Sequence, residues 1–216
     1  MAGVASAVVD SYAKYITRSV EDVTADLETY VELMTRWQRV QNLVSRETLP
    51  TIWTRHIADS LQALKLLTDR DVRLLDLGSG GGLPAIPLAI ARLDLPNAKF
   101  DLVEPNVRKA AFLRTVAREL GLPITVHACR VQQIDSRETL QPDVISSRAL
   151  APLADLLAMS APCFSGSTRA IFHKGSEYAE EIAESRSRWR FDVIVVPSDT
   201  DPASALLEIR NLTSDQ

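Results

Sequence analysis

Leu74-Leu75-Asp76-Leu77-Gly78-Ser79-Gly80-Gly81-Gly82-Leu83-Pro84 is the place where an apolar run stops and glycine takes over. Val72 to Leu77 reads as a buried strand, four of the next five residues are glycine, and a helical pattern starts at Pro84. A strand that feeds a tight glycine turn into a helix lets a ligand lie against bare backbone at a helix N-terminus. The stretch therefore predicts a nucleotide-like cofactor.

Downstream of this turn, strand-like and helix-like segments alternate. Short β-type runs fall at Arg73–Leu77, Lys99–Glu104, Ile124–Ala128, Asp143–Ser147, Arg169–His173, Phe191–Val196 and Ala205–Leu212. Helical stretches at Pro84–Arg92, Val107–Leu120, Leu153–Ala161 and Glu177–Ser187 separate most of them. Strands separated by helices imply parallel crossovers and a sheet covered on both faces. The last two runs are joined only by Pro197-Ser-Asp-Thr-Asp-Pro202, which favours an antiparallel hairpin. The expectation is an α/β chain with a seven-stranded, mostly parallel sheet and one antiparallel strand near its end.

Upstream, the first ~70 residues read as helical. Val23, Leu27, Tyr30, Val31, Met34 and Trp37 form one apolar stripe at three- and four-residue steps. A second helix is expected from about Pro50 to Leu67, with proline suited to its start. The expected division is an N-terminal helical extension, 1–70, packed on a sheet domain, 71–216.

Composition narrows the class. Apolar residues make up 46% of the 216, enough for a sizeable core. No apolar run approaches the ~20 residues that span a bilayer. Met1 to Asp10 lacks a basic stretch followed by an apolar one, so no signal peptide is expected. Cys129 and Cys163 show no metal spacing and are expected as buried, reduced thiols. A net charge of −4 argues against non-specific coating of nucleic acid. Even so, Asn106 to Arg148 holds seven basic residues, including Arg130 and Arg137, against Glu119, Asp135, Glu138 and Asp143.

The spacing of the glycines selects among cofactors. A dinucleotide fingerprint needs G-x-G-x-x-G, and here the third glycine position is Leu83. The chain instead spells D-x-G-x-G-x-G through Asp76, Gly78, Gly80 and Gly82, which resembles the first motif of S-adenosylmethionine-dependent methyltransferases. In that family the glycine backbone packs against the methionine part of the cofactor, and the strand-end carboxylate holds its amino group or a bridging water. Glu104 ends the next strand, where a carboxylate can accept from both hydroxyls of a ribose.

A more specific resemblance covers nearly the full chain. Asn42-Leu43-Val44-Ser45, Arg55-His56-Ile57-Ala58-Asp59-Ser60, Asp76 through Pro84, Arg108-Lys109 with Phe112-Leu113, Cys129-Arg130-Val131, Ile145-Ser146-Ser147-Arg148-Ala149 and Lys174-Gly175 follow in order. Together they resemble the small-subunit ribosomal RNA guanine-N7 methyltransferase family, also called glucose-inhibited division protein B. The Arg-His-x-x-Asp-Ser block is the most discriminating, because general methyltransferases do not carry it. The resemblance implies a Rossmann-like class I methyltransferase fold, S-adenosyl-L-methionine as cofactor, no metal, and methylation of one guanine in 16S rRNA. The substrate would be the RNA or a small-subunit particle in a bacterial cytoplasm. Carried over, cofactor contacts come from Gly78, Leu83, Val131, Gln132 and Arg148, with the adenine near Val131 and Gln132. The chain departs from the family pattern at Gly81, often proline, at Gln132, often glutamate, and at Ala85, often glycine.

Guanine N7 has a lone pair and no proton at neutral pH, so no strong base is needed. Catalysis then reduces to alignment and exclusion of water. Arg148, a fixed cation at the end of the fourth strand, is the candidate catalytic residue, and Arg148→Ala is expected to cost activity far more than folding. Arg55, Arg108, Lys109, Arg114 and Lys174 are the candidate RNA contacts, with Arg118, Arg186, Arg188 and Arg190 as a further rim. His56 is expected to order the link between helical cap and sheet through Asp59. His173 either touches RNA or ends its strand. A methyltransferase of a small molecule or protein, or a non-catalytic RNA-binding module, remains open at this point. The first needs no basic face, and the second predicts a damaged cofactor motif.

Overall fold

The computed structural model describes residues 2–134 and 140–214. Asp135, Arg137 and Glu138, counted above, lie outside them. The strands are β1 (Arg73–Leu77), β2 (Lys99–Val103), β3 (Ile124–His127), β4 (Val144–Arg148), β5 (Arg169–Lys174), β6 (Trp189–Pro197) and β7 (Ala205–Ser214). They form one sheet in the order β3-β2-β1-β4-β5-β7-β6. β1 to β5 pair in parallel, and β7 lies antiparallel between β5 and β6. β7 is thus the single antiparallel strand the polar hairpin link implied. The chain leaves β1 outward through β2 and β3, then returns to β4 on the other side. That reversal opens a crevice at the carboxyl ends of β1 and β4, where α/β sheets bind ligands.

The helices are α1 (Ala2–Asp10), α2 (Val20–Trp37), the short α3 (Asp59–Leu61), α4 (Ala85–Ala91), α5 (Val107–Glu119), α6 (Leu153–Ser160) and α7 (Tyr178–Ser185). The Ser19 hydroxyl caps α2 by accepting the Asp22 N–H at 3.0 Å. From the α2 stripe, Val23, Leu27, Tyr30 and Met34 are buried, whereas Val31 and Trp37 are half-buried.

The second helix departs from expectation. Instead of one helix from Pro50, the chain runs through a 3₁₀ stretch (Arg46–Thr51), a π turn (Trp53–Ala58), α3 and a second 3₁₀ stretch (Gln62–Leu66). Pro50 sits inside the first stretch, not at a start. The cause is local competition. The hydroxyls of Thr48, Thr51 and Thr54 donate to the carbonyls of Ser45, Thr48 and Thr51, each three residues back, where a regular helix needs other partners. Proline removes a further donor.

Two apolar cores cover the sheet. Leu74, Phe100, Leu102, Val144, Ile171 and Leu206 pack on one face with α2, α4, α5 and the N-terminal helices. Leu75, Leu77, Val103, Ile145, Phe172 and Leu207 pack on the other with α6. Side chains alternate along strands, so Asp76, Ser146, Arg148 and His173 share the face of Leu74, Val144 and Ile171. Four polar residues at carboxyl ends of strands are thereby directed toward the N-terminal cap. Cys163 is buried in the second core, while Cys129 is half-buried rather than buried as expected.

Candidate functional site

The glycine turn is shaped by three left-handed residues, Gly78 (φ +68°), Gly80 (φ +55°) and Gly82 (φ +90°). Their neighbours separate two roles. A Cβ at Gly80 would meet nothing nearer than the Gly78 carbonyl at 3.8 Å, so that surface stays open for a ligand. A Cβ at Gly82 would lie 2.4 Å from Ile86 Cγ1 and 3.1 Å from Leu113 Cδ2. Gly82, expected among the cofactor contacts, instead lets the turn pack against α4 and α5. Gly82→Ala combines that clash with a strained backbone and is expected to cost about 2–3 kcal/mol of stability by chemical denaturation. A loss below about 0.5 kcal/mol would contradict this packing role.

Glu104, one step past β2, is buried and oriented by backbone. Its Oε2 accepts the Gly80 N–H and its Oε1 the Asn106 N–H, both at 2.8 Å. A carboxylate has about four lone-pair sites, so two acceptor positions remain for ribose hydroxyls. Asp76 is fully buried at the end of β1. Its Oδ1 accepts the Ser146 hydroxyl at 2.6 Å, and its Oδ2 has no hydrogen-bond partner. Burial, only partly offset by the hydroxyls of Ser146 and Ser79, pushes its carboxyl up to about 7. An orphaned buried oxygen and an open glycine surface fit a cofactor carrying an ammonium group and a ribose.

The N-terminal helices close this site. Tyr30, fully buried on α2, donates its hydroxyl to the Gly81 carbonyl at 2.6 Å and so ties the cap to the glycine turn. Gln38, also buried, clamps the Asn42–Ser45 segment. Its Oε1 accepts the N–H groups of Leu43 (2.8 Å) and Val44 (3.1 Å), and its Nε2 donates to the Val44 carbonyl at 2.8 Å. Between segment and turn lies a cavity of about 720 Å³ lined by Leu43, Gly78, Gly80, Leu83, Glu104 and Arg148, among others. Its size is within the range of small-molecule sites.

Arg148 forms the far wall. Its Nε donates to Asp59 Oδ2 at 2.9 Å, and its Nη2 to the Arg55 carbonyl at 2.8 Å and to His56 Nδ1 at 3.0 Å. A guanidinium only donates, so His56 Nδ1 is the acceptor and the ring proton is on Nε2. That nitrogen donates to Thr48 Oγ1 at 2.7 Å, and Thr48 donates to the Ser45 carbonyl at 2.8 Å. The chain of bonds requires a neutral imidazole, and burial together with the Arg148 charge depresses its pKa to about 4. His56 therefore links cap and sheet through Arg148, not through Asp59 as expected.

Asp59 is the second anchor of Arg148. Its Oδ1 accepts Gln62 Nε2 at 2.7 Å and Thr200 Oγ1 at 3.0 Å. His173, paired in register with Arg148, is buried and donates Nε2–H to the Asp59 carbonyl at 2.8 Å. A buried ring with that bond is not a surface RNA contact.

The remaining candidates divide. Lys109 lines the cavity over the glycine turn, and Arg108 is exposed beside it at the start of α5. Arg55 is exposed and pairs with Asp201 at 3.3 Å. Arg114 folds back onto the Val126 carbonyl at 3.0 Å, and Lys174 is held by Glu181 (2.6 Å) and the Ala151 carbonyl (3.1 Å). The structure does not bring Asp76, Val131 or Gln132 to the cavity lining. Asp76 lies beneath it, and Val131–Gln133 forms a 3₁₀ turn after β3. Tyr30, Gln38 and Ser146 escaped the sequence reading. Of these only Ser146 had a signal, its alternation with Arg148.

The family model described as rRNA small subunit methyltransferase G (GidB) matches residues 23–202. A Ribosomal RNA small subunit methyltransferase G from Cereibacter sphaeroides is 47% identical over 185 residues, covering 85% of this chain and 88% of its own. Its namesake from Methylobacterium nodulans is 44% identical over 193 residues, 89% and 90% of the two chains. Among solved structures, a mutant of MtNAS in complex with S-adenosylmethionine superposes with a TM-score of 0.57 at 18% identity, over 88% of this chain and 76% of that one. A methyltransferase from Geobacter sulfurreducens gives 0.55 at 16% identity, over 84% and 88%. At such identities these two similarities speak for the fold alone.

Proposed function

The chain belongs to the rRNA small subunit methyltransferase G family, and from that premise we propose that it transfers a methyl group from S-adenosylmethionine to N7 of one guanine in bacterial 16S rRNA. The observation that carries the cofactor half is the pair of carboxylates around the glycine turn. Asp76 has a buried oxygen without a partner, and Glu104 is oriented by two backbone N–H groups with acceptor capacity to spare. S-adenosylmethionine supplies a methyl group already activated on a sulfonium. The protein's own task is to hold the acceptor nitrogen in line and keep water out. Consistent with this, His56, the imidazole that touches Arg148, is held neutral between Arg148 and Thr48.

The RNA half rests on family membership and on cations around the two ends of the cleft. Arg55, Arg108 and Lys109 are the phosphate contacts this reading favours. Arg114 and Lys174 first have to give up intramolecular partners. The substrate is 16S rRNA, free or within a small-subunit particle, and the setting is a bacterial cytoplasm. Among the described residues no helix is long and apolar enough to cross a membrane.

The test is transfer of labelled methyl from S-adenosylmethionine to small-subunit RNA from cells lacking this modification, followed by nucleoside mass mapping. The expected product is 7-methylguanosine at one position. Methyl at another base atom would overturn the N7 reading, and a calorimetric titration with no cofactor binding would overturn the whole class.

A further inference from the structure

The chain leaves β4 through an uncommon turn. Ala149, directly after Arg148, has φ +53°, a left-handed conformation that residues with a side chain seldom adopt. The turn brings Leu150 back over the end of β1, where its side chain lies on Gly78. A Cβ built at Gly78 would be 2.5 Å from Leu150 Cδ1 and 2.9 Å from Cδ2. The side chain that Gly78 lacks is therefore the space that Leu150 fills. Leu150 nevertheless stays 38% exposed and joins neither apolar core. Of the exposed large apolar residues among the described ones, only Leu150 lines the cavity over the glycine turn. Strained backbone that holds an apolar side chain partly in water serves no core, and such strain clusters at ligand sites.

The two carboxylates say which ligand Leu150 meets. In the sheet β2, β1 and β4 are consecutive neighbours. Glu104 stands just past β2 and Asp76 near the end of β1, with Gly80 joined to Glu104 through its N–H. A cofactor tied by its ribose to Glu104 and by its ammonium to Asp76 occupies the β2–β1 side of the cavity. Arg148, Ala149 and Leu150 line the β4 side of the same continuous space. That side is left for the acceptor, which meets the cofactor with no wall between them. Arg148 spends Nε and Nη2 on Asp59, Arg55 and His56. The apolar surface that this side offers to a flat ring is the Leu150 side chain.

We propose that Leu150 is the platform for the acceptor base: one face of an unstacked purine rests on its isobutyl group, and the ring edge then points at the methyl group. The proposal rests on the guanine-N7 reading above and deepens it by naming the residue that fixes the plane of the base. The lone pair of a ring nitrogen lies in the ring plane, so in-line transfer requires the methyl carbon to lie in that plane too. Phosphate contacts set the register of the RNA strand, but they leave the tilt of an extruded base free. An apolar side chain seated on Gly78 removes that freedom, and extruded bases are held between apolar or aromatic side chains. Covering Leu150 also releases water from its exposed surface.

Leu150→Ala and Leu150→Met supply the test, with small-subunit RNA from cells lacking the modification as substrate. Leu150→Ala is expected to lower the maximal transfer rate by about 30-fold, while KM for the RNA and Kd for S-adenosylmethionine each stay within about threefold of the parent. Because Leu150 joins no core, the thermal midpoint should move by less than about 2 °C. Leu150→Met restores an apolar surface of nearly the same volume and should transfer within about threefold of the parent. Leu150→Ala protein whose rate stays within about threefold of the parent would overturn the proposal. So would a loss of transfer matched by an equal loss of cofactor affinity, since Leu150 would then serve the methionine arm of the cofactor and not the base. A parent protein that binds cofactor but methylates no guanine at N7 would overturn the reading beneath it, and the proposal with it.

Discussion

Replacing Asp76 with alanine is expected to weaken S-adenosylmethionine binding by roughly 30- to 1000-fold, the equivalent of about 2–4 kcal/mol for loss of a buried charge-assisted partner. The argument runs through protonation. In the cofactor-free chain Asp76 is fully buried, accepts one hydroxyl from Ser146, and has a pKa of about 7. An ammonium at its orphaned oxygen favours the ionised form, so binding expels a proton whenever the carboxyl is neutral beforehand. Affinity should therefore rise with pH up to about 7 and level off above it. Calorimetry at pH 6, 7 and 8, in buffers of different ionisation enthalpy, reads both the affinity and the released proton. The same group has a consequence for the empty fold. A carboxyl whose folded pKa lies above its unfolded value contributes stability that is fully present below the unfolded pKa and is lost as pH rises through about 7. Asp76→Asn should remove both pH dependences together. If that variant binds cofactor with the parent's affinity and pH profile, Asp76 does not hold the ammonium.

The alternation of strands and helices was legible because each strand is a short apolar run between polar turns, and the observed strands begin and end within two residues of the expected ones. The polar face of the site was legible in principle. Asp76, Ser146, Arg148 and His173 fall on one side by counting in twos from Leu74, Val144 and Ile171. What escaped depends on contacts between distant segments. Gly82 looked like a ligand-facing glycine, and only its approach to Ile86 and Leu113 shows that it serves packing. Tyr30 belonged to an apolar stripe, and its hydroxyl acquires meaning from the Gly81 carbonyl 51 positions away. The 46–66 run was misread because periodicity reports a helical face but not which carbonyl each N–H selects.

That run is where structure and chemistry meet. A π turn often marks a functional site, and here it places His56 and Arg55 against the end of β4 while Asp59 follows directly behind. Arg148, His56, Thr48 and Ser45 then form one directed line of hydrogen bonds from the end of β4 to the segment that borders the cavity over the glycine turn. One wall of that cavity and the segment over it are consequently held by the same guanidinium.

Arg148→Ala is expected to cost both activity and stability, which revises the expectation from sequence that folding would be largely spared. Removing the guanidinium leaves Asp59 Oδ2, His56 Nδ1 and the Arg55 carbonyl without their donor at a site where Arg148 and Asp59 expose only 18% and 16% of their side chains. Truncating one partner of such a pair costs about 2–4 kcal/mol, because an uncompensated charge stays behind. For a chain of this size that lowers the thermal midpoint by roughly 5–15 °C. Methyl transfer, measured well below that midpoint, should fall by about 100-fold or more, since the side chain that lines the cavity and, through His56 and Thr48, holds the segment over it is gone. The double variant Arg148→Ala with Asp59→Ala separates the two effects. Removing the orphaned carboxylate should recover part of the lost midpoint while transfer stays absent. Recovery of transfer along with stability would show that Arg148 acts only by holding Asp59 and the cap in place. A single variant that keeps the parent's midpoint would show that water or a neighbouring side chain already compensates Asp59, and that the cap does not depend on this ion pair.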